Sequence, residues 1–165
     1  MPARASASPG LRRLVASADF ERVLRSRSRA STAQFSVHYL EAPPTLRPPL
    51  PGPGAPKLST DSEPARAYPV EDSSPAASSA GRIWVGAVVP KRHAKRAVTR
   101  SLLKREIYAA AARHRAALAP GLWIVRLRAP VDRASFPSAA SAALRRAVRC
   151  QLDALLADAA GTTRP

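Results

Sequence analysis

Residues 41–81 form a stretch that cannot belong to a packed core, and they limit what the rest of the chain can build. Ten of the 17 prolines fall there, together with clustered serines and few large apolar side chains. Proline removes backbone hydrogen-bond donors, and so little apolar surface cannot offset the entropy lost on ordering. We therefore expect a disordered Pro/Ser-rich loop over 41–81 inside a single domain spanning 11–157, between flexible termini at 1–10 and 158–165.

The hydrophobic pattern on both sides of this loop predicts an α+β fold, in which a small mixed sheet packs against helices. Alternating or continuous apolar runs indicate strands, and apolar residues at spacings of three and four indicate helices. The predicted strands are Gln34–Leu40, Ile83–Val89 and Leu122–Leu127, and the predicted helices are Ala18–Arg25, Val98–Leu118 and Ser138–Ala159.

The formal net charge of the chain is +16, and the sequence pI is about 11.7. The predicted loop contains more acidic than basic residues, so the positive charge belongs to the folded part. Such a charge indicates a polyanionic partner, because each cation held near a phosphate releases a condensed counterion on binding.

Composition excludes several other classes of protein. The longest strongly apolar stretch, Ile83–Val89, is far shorter than the roughly 20 residues of a membrane-spanning helix. Residues 1–10 lack the apolar segment of a secretory signal. The single cysteine, Cys150, cannot form an internal disulfide, and we expect it to be a small buried residue of the last helix. These features predict a cytoplasmic protein that binds nucleic acid and no membrane.

The densest basic signal runs from Lys91 to Arg105, where seven of 15 residues are Lys or Arg. On a helical wheel, Leu103, Ile107 and His114 share the face that should pack on the sheet, and the cations occupy the adjoining face. Arginine suits bidentate contact with phosphate, and a helix N-terminus favours anions. The candidate RNA-binding residues are Lys91, Arg92, Lys95, Arg96, Arg100, Ser101, Lys104 and Arg105.

The sequence indicates no catalytic residues and no metal site in the polypeptide. His38, His93 and His114 lack the spacing of metal ligands, and no pair of acidic residues is placed for general acid–base chemistry. Trp84 and Trp123 lie in predicted strands, where core positions are expected. The chain therefore shows no autonomous catalytic site.

The sequence AVTRSLLKRE at 97–106, preceded by VVPKRH at 88–93, resembles the signature of the bacterial ribonuclease P protein subunit. Ala18–Val23 and Trp123–Ala129 are similar to the opening helix and a later strand of that family. The resemblance covers residues 11–40 and 82–157. Its implied fold contains a left-handed βαβ crossover, contrary to the usual handedness.

The resemblance implies a protein that assembles with a catalytic RNA to form an endoribonuclease. In that family the RNA performs the Mg²⁺-dependent hydrolysis that removes the 5′ leader of precursor tRNA. The protein binds the catalytic RNA and the leader, and it contributes no metal site of its own. A protein oligomer is not implied.

The resemblance also implies a cleft for the 5′ leader between the first helix and the sheet. Phe20 and Phe35 match aromatic residues of these elements and could stack on single-stranded bases. His38 lies at a strand position where a leader-facing side chain would be useful. The alternatives are that both phenylalanines belong to the core and that His38 is an inert surface residue.

Ser101, Leu102 and Tyr108 depart from the family pattern, which has an asparagine, a basic residue and an arginine at these positions. Two further interpretations stay open on charge alone: an RNA-binding module with a similar α+β fold, and a nonspecific DNA-binding protein. Only the motif favours the ribonuclease P role over them.

Overall fold

The computed structural model describes residues 10–45, 81–132 and 134–161. Most of the predicted loop and termini lie outside these ranges. Two observations bear on the predicted bounds, which stay a prediction. Within the first residues of the predicted loop, the Thr45 backbone N–H and hydroxyl donate to the Asp19 carboxylate at 2.9 and 2.6 Å. The last helix continues past residue 157 to Gly161.

In the described part of the chain, eight elements form a mixed sheet with helices on both faces, which confirms the α+β fold. In chain order they are β1 Leu11–Arg13, α1 Ser17–Arg25, β2 Ser28–Ser31, β3 Phe35–Leu40, β4 Ile83–Val88, α2 Ala97–His114, β5 Gly121–Leu127 and α3 Ala142–Gly161. The strand order is β1-β4-β5-β3-β2. β1, β4 and β5 are mutually parallel, β3 is antiparallel to β5, and β2 is antiparallel to β3.

Each face of the sheet has its own apolar cluster. α2 and α3 pack over one face, where Phe35, Val37 and Trp123 are buried. The nine-residue α1 packs on the other face, over Leu122 and Ile124. Alternating residues of a strand point to opposite faces, so β3 and β5 contribute to both clusters.

β4, α2 and β5 form a βαβ unit whose two strands are neighbours in the sheet. The helix lies over the sheet because Leu103, Ile107 and Ala110 are fully buried on one side of it. The left-handed path of this connection stays a prediction. None of the helices in the described ranges has the length and apolar character to cross a membrane.

β1 and β2 were not expected, because they are short and polar. β1 has the sequence LRR and pairs with β4, and β2 has the sequence SRAS and pairs with β3. Both are edge strands, where charged and short segments are common. Hydrogen bonding to a buried neighbour, rather than any hydrophobic alternation, makes them strands.

α2 is shorter than predicted at its C-terminal end, and α3 is shorter than predicted at its N-terminal end. α2 ends at His114, and the Ala117 N–H donates to the His114 carbonyl at 2.9 Å in the turn that follows. α3 starts at Ala142 instead of Ser138, and the Ser141 hydroxyl accepts a hydrogen bond from the Leu144 N–H in its first turn.

Two side chains of these helices are not where the sequence placed them. Cys150 is exposed, since it lies away from the buried stripe of α3. His114 faces α3 rather than the sheet, with Nε2 at 3.1 Å from Asp153 Oδ1. The Arg113 guanidinium donates to the same oxygen at 2.7 Å. Asp153 thus joins the end of α2 to the middle of α3.

Replacing Asp153 should remove a pH-dependent part of the stability. Burial raises the pKa of Asp153, but the hydrogen bonds and charges of Arg113 and His114 lower the pKa by more than burial raises it. The pKa of Asp153 therefore lies below its ordinary value. A carboxylate with a lowered pKa stabilises the fold above about pH 4, and the contribution is lost as pH falls through the folded-state pKa. Asp153→Asn should therefore lower the thermal midpoint at pH 7, and the difference from wild type should shrink at pH 3.

The control for this titration is Glu21→Gln, which removes an exposed carboxylate of α1. It should leave the thermal midpoint nearly unchanged at both pH values. An equal difference between Asp153→Asn and wild type at pH 7 and pH 3 would contradict the role of the ionised carboxylate.

Gly121→Ala should destabilise the fold by about 1–3 kcal/mol. Gly121 has φ +136°, and a Cβ there would lie 2.8 Å from the Leu40 carbonyl oxygen, a backbone atom that cannot move independently. Urea unfolding measures the loss. Gly161→Ala is the matched control, because a Cβ at Gly161 meets no atom within 4 Å. Equal stability of the two variants would contradict the expected strain.

Candidate nucleic-acid interface

The eight predicted RNA-binding residues lie together on the β4–α2 loop and the first turns of α2. Seven of them are exposed, and Arg100 is half-buried. The loop carries Lys91, Arg92, Lys95 and Arg96 immediately before the helix N-terminus. Unpaired N–H groups at this end of a helix add partial positive charge to that of the side chains. The structure therefore brings the whole predicted set onto one cationic surface, here called the α2 surface.

Intramolecular hydrogen bonds hold the loop of the α2 surface. Arg100 Nη1 donates to the carbonyl oxygens of Ala94 at 3.0 Å and Lys95 at 2.8 Å. Arg96 Nη1 donates to the Pro137 carbonyl at 2.7 Å. Arg100 is thus a positioning residue for the loop, and its remaining N–H groups can still contact a phosphate. Lys104 lies one helical turn further and is exposed, so it presents its charge directly to solvent.

The acidic residue of α2, Glu106, faces away from the α2 surface. Glu106 is 8% exposed, and its Oε1 lies 3.7 Å from Nε of Arg145 on α3. The acidic group next to the cationic rows therefore faces α3 and does not neutralise Lys104 or Arg105.

Arg13 of β1 is a basic residue of this region that sequence reasoning missed. Its guanidinium carbon lies 4.2 Å from the centre of the Tyr108 ring, a cation–π contact. Tyr108 follows Lys104 by one turn on α2, so Arg13 extends the α2 surface across the edge of the sheet. The short LRR sequence gave no strand signal and hence no indication of its position.

A second candidate surface lies on the α1 face of the sheet. His38, Ile124 and Gly86 are register partners and form one row across β3, β5 and β4. The Phe20 ring lies over this row, because a Cβ built on Gly86 would be 2.6 Å from Phe20 Cε1. Phe20 and His38 are both half-buried, so each keeps an accessible edge. We call this area the α1 cleft.

His38 is held in a defined orientation within the α1 cleft. Its Nδ1 lies 3.0 Å from the Ser26 carbonyl oxygen, which only accepts hydrogen bonds. Nδ1 therefore carries a hydrogen, and in the neutral ring Nε2 is the acceptor.

Phe35 does not belong to the α1 cleft, which corrects its assignment as a leader-facing residue. Its side chain is fully buried among residues of the α2 and α3 face. Phe35 and His38 are three positions apart on one strand and therefore point to opposite faces. Alternation along β3 predicted which residues share a face, but it could not show which face the two long helices cover.

Arg126 is a further cleft residue that sequence reasoning missed. It pairs with Ser36 and Val88 in the row next to His38 and Gly86, and it is half-buried. It alternates with the core residues Val125 and Leu127, so it points to the α1 face. Alternation in the sequence places Arg126 on the face opposite Val125 and Leu127, but it does not show which of the two faces the long helices cover.

The histidines of the chain lie apart, on the α1 face, in the β4–α2 loop and at the end of α2. Across the described ranges, no group of three or more His, Cys, Asp or Glu side chains is arranged to hold a metal ion. Trp123 is a core residue, whereas Trp84 is half-buried and its Nε1 has no hydrogen-bond partner among the described residues. The arrangement of cations on one surface and of an aromatic ring, a histidine and an arginine on the other suits polyanions and bases.

The family model described as Ribonuclease P matches residues 9–152. The chain belongs to the ribonuclease P protein family. A solved structure of the RNase P protein of Staphylococcus aureus is similar in fold, with a TM-score of 0.53 and 17% sequence identity. The alignment covers 88% of this chain and 92% of that chain. No curated protein matches the sequence.

Membership assigns the chain its role. It is the protein subunit of bacterial ribonuclease P, the enzyme that processes the 5′ end of tRNA, and the RNA subunit carries the chemistry. Ribonuclease P is a Mg²⁺-dependent ribonucleoprotein.

Proposed function

We propose that the α2 surface binds the catalytic RNA and that the α1 cleft holds the 5′ leader of precursor tRNA. The observation that carries this division is the placement of the two surfaces. One consists of cations on the β4–α2 loop and α2, and the other consists of an aromatic ring, a histidine and an arginine on the opposite face of the sheet.

The chemistry of the α2 surface suits a folded RNA. Its charges lie along a helix and a loop, where they can follow a phosphate backbone. Arginine contacts phosphates bidentately, and lysine acts as a mobile point charge. Such contacts position the protein on an RNA without reading its sequence.

The chemistry of the α1 cleft suits a single strand. Phe20 offers a ring face or edge to a base, and aromatic stacking tolerates any sequence because every base has a π-face. Arg126 supplies a cation one row away for the leader backbone. A tRNA leader varies in sequence, so this combination fits its recognition better than a set of hydrogen bonds to particular bases would.

Mg²⁺ is assigned to the RNA subunit in this proposal, since the described side chains form no metal site. The protein would act by neutralising phosphates, which lets the RNA and its substrate approach and bind Mg²⁺ productively. The partners are the catalytic RNA and precursor tRNA, both of which occur in the bacterial cytoplasm.

Cleavage of a precursor tRNA by a bacterial ribonuclease P RNA at low Mg²⁺ tests the role. Adding the protein should strongly increase the rate of cleavage at the mature 5′ end. An RNA-binding module that shares only the fold would bind the RNA tightly and leave the rate unchanged.

Lys104→Ala should weaken binding to the catalytic RNA and reduce the slope of log K against log salt by about one unit. The reason is that one phosphate contact is lost from an exposed side chain. Titrations at several salt concentrations measure the slope. Arg115→Ala removes the same charge beyond the far end of α2 and should leave the slope unchanged. A slope for Lys104→Ala that equals the wild-type slope would place the RNA elsewhere.

Gly86→Ala should weaken binding of long-leader precursor tRNA by about fivefold, the low end of the value of one base stack. The new Cβ would lie 2.6 Å from Phe20 Cε1 and would push the ring out of position. The readout is holoenzyme affinity for precursors with a long leader and with a one-nucleotide leader. Only the long-leader precursor should be affected, and Gly161→Ala should affect neither. An equal loss for both precursors would contradict leader binding by the cleft.

A further inference from the structure

A cavity of about 220 Å³ lies between the β4–α2 loop and the segment that leads from β5 to α3. It opens beside the α2 surface, and the function proposed above for that surface does not use it. The residues that line it include Arg92, Ala94, Lys95, Arg96, Phe136 and Leu144. We call it the loop cavity.

Three hydrogen bonds fix the walls of the loop cavity to one another. The Val131 N–H donates to the His93 carbonyl at 3.0 Å, and Arg96 Nη1 donates to the Pro137 carbonyl at 2.7 Å. The Thr99 hydroxyl donates to the Ala139 carbonyl at 2.8 Å. A cavity whose walls are tied in this way is formed before any ligand binds, so little entropy is lost on ordering it.

The wall that continues into α3 is shaped by a local turn. The Asp132 carboxylate accepts hydrogen bonds from the backbone N–H groups of Ala134 and Ser135 and from the Ser135 hydroxyl. The turn is closed by the Phe136 N–H, which donates to the Asp132 carbonyl at 3.1 Å. Phe136 is thereby held at the cavity, half-buried.

The interior and the rim of the loop cavity differ in chemistry. Ala94 and Leu144 are 3% and 1% exposed and give an apolar floor, to which Phe136 adds an aromatic ring. Arg92, Lys95 and Arg96 line the cavity as cations, and none of the described residues that line it is acidic. An apolar site with a cationic rim is complementary to an aromatic group that carries a negative charge.

We propose that the loop cavity takes one unstacked nucleotide of the catalytic RNA, with its base against Phe136 and its phosphate among the rim cations. This inference rests on the proposed binding of that RNA by the α2 surface. The volume favours a single base, because pockets for drug-sized ligands measure roughly 300–1,000 Å³. Unstacked bases in loops and bulges are the parts of an RNA that proteins read through aromatic side chains.

The position of the cavity assigns it to the catalytic RNA rather than to the leader. It is built from the loop that carries four cations of the α2 surface and from the segment before α3. It therefore lies on the side of the sheet that α2 and α3 cover. The α1 cleft is on the other face. A nucleotide bound in the cavity would fix the register of the RNA, which phosphate contacts alone leave free to slide.

Phe136→Ala tests the proposal through binding of the catalytic RNA alone. We expect about tenfold weaker binding, the loss of one base stack, with no change in salt slope because no charge is removed. One nucleotide of the RNA should be protected from base-specific chemical probing by wild-type protein and not by the variant. Precursor tRNA alone should bind both proteins equally.

A second variant guards against loss of folding in the first. Ala139→Leu adds volume at the cavity wall, and its matched control Ala140→Leu adds the same volume at an exposed neighbour outside the cavity. Ala139→Leu should weaken binding of the catalytic RNA about tenfold at an unchanged salt slope, and Ala140→Leu should have no effect. Thermal unfolding of each variant establishes that it is folded.

Three outcomes would overturn the proposal. Folded Ala139→Leu that binds the catalytic RNA like wild type would show that the cavity is unused. If a cavity variant bound precursor tRNA more weakly in the absence of the catalytic RNA, the occupant of the cavity would be the substrate. A protected nucleotide that is unchanged in both variants would place the base elsewhere. Lys104→Ala separates these results from failure of the proposed function, because Lys104 belongs to the α2 surface but does not line the cavity. A reduced salt slope for this variant shows that the α2 surface binds the RNA even if the cavity does not.

Discussion

Leu103, Ile107 and Ala110 are fully buried along one side of α2, and the cationic surface on its other side depends on this packing. Closely spaced cations repel one another and oppose a compact state. Burial of a leucine or isoleucine side chain contributes about 1.5–3 kcal/mol, whereas a like-charge pair on a helix costs only a few tenths of a kcal/mol. Because burial is the larger effect, the helix can hold Lys104 and Arg105 in fixed positions without a partner.

The sheet separates the two surfaces that we propose contact RNA. α2 and α3 close one face completely with apolar contacts, and the shorter α1 leaves Phe20 and His38 partly accessible on the other. β4 connects the two surfaces, because Gly86 lies under Phe20 and the strand leads into Lys91. The two residues are five positions apart, which is at most about 18 Å along the chain.

The sequence was sufficient to predict the parts of the fold that hydrophobic periodicity controls. The central strands, the buried stripe of α3 and the cationic side of α2 all follow from local spacing. β1 and β2 could not be found, since their strand character comes from pairing with β4 and β3 rather than from their own residues. Phe35 was misplaced for a related reason. Alternation defines two faces, but only tertiary packing decides which face the long helices cover, and Arg126 depends on the same decision.

The contact between Arg13 and Tyr108 shows how a surface can retain its charge when one position changes. The family pattern has an arginine where this chain has Tyr108, and here the guanidinium of Arg13 lies 4.2 Å from the centre of that ring. Tyrosine cannot contact a phosphate as a cation, but its ring attracts one from the neighbouring strand. Charge at this point of the surface is therefore supplied by β1 instead of α2. Because a phosphate responds to the position of a charge and not to the element that carries it, this contact keeps a cation on the α2 surface while the motif differs.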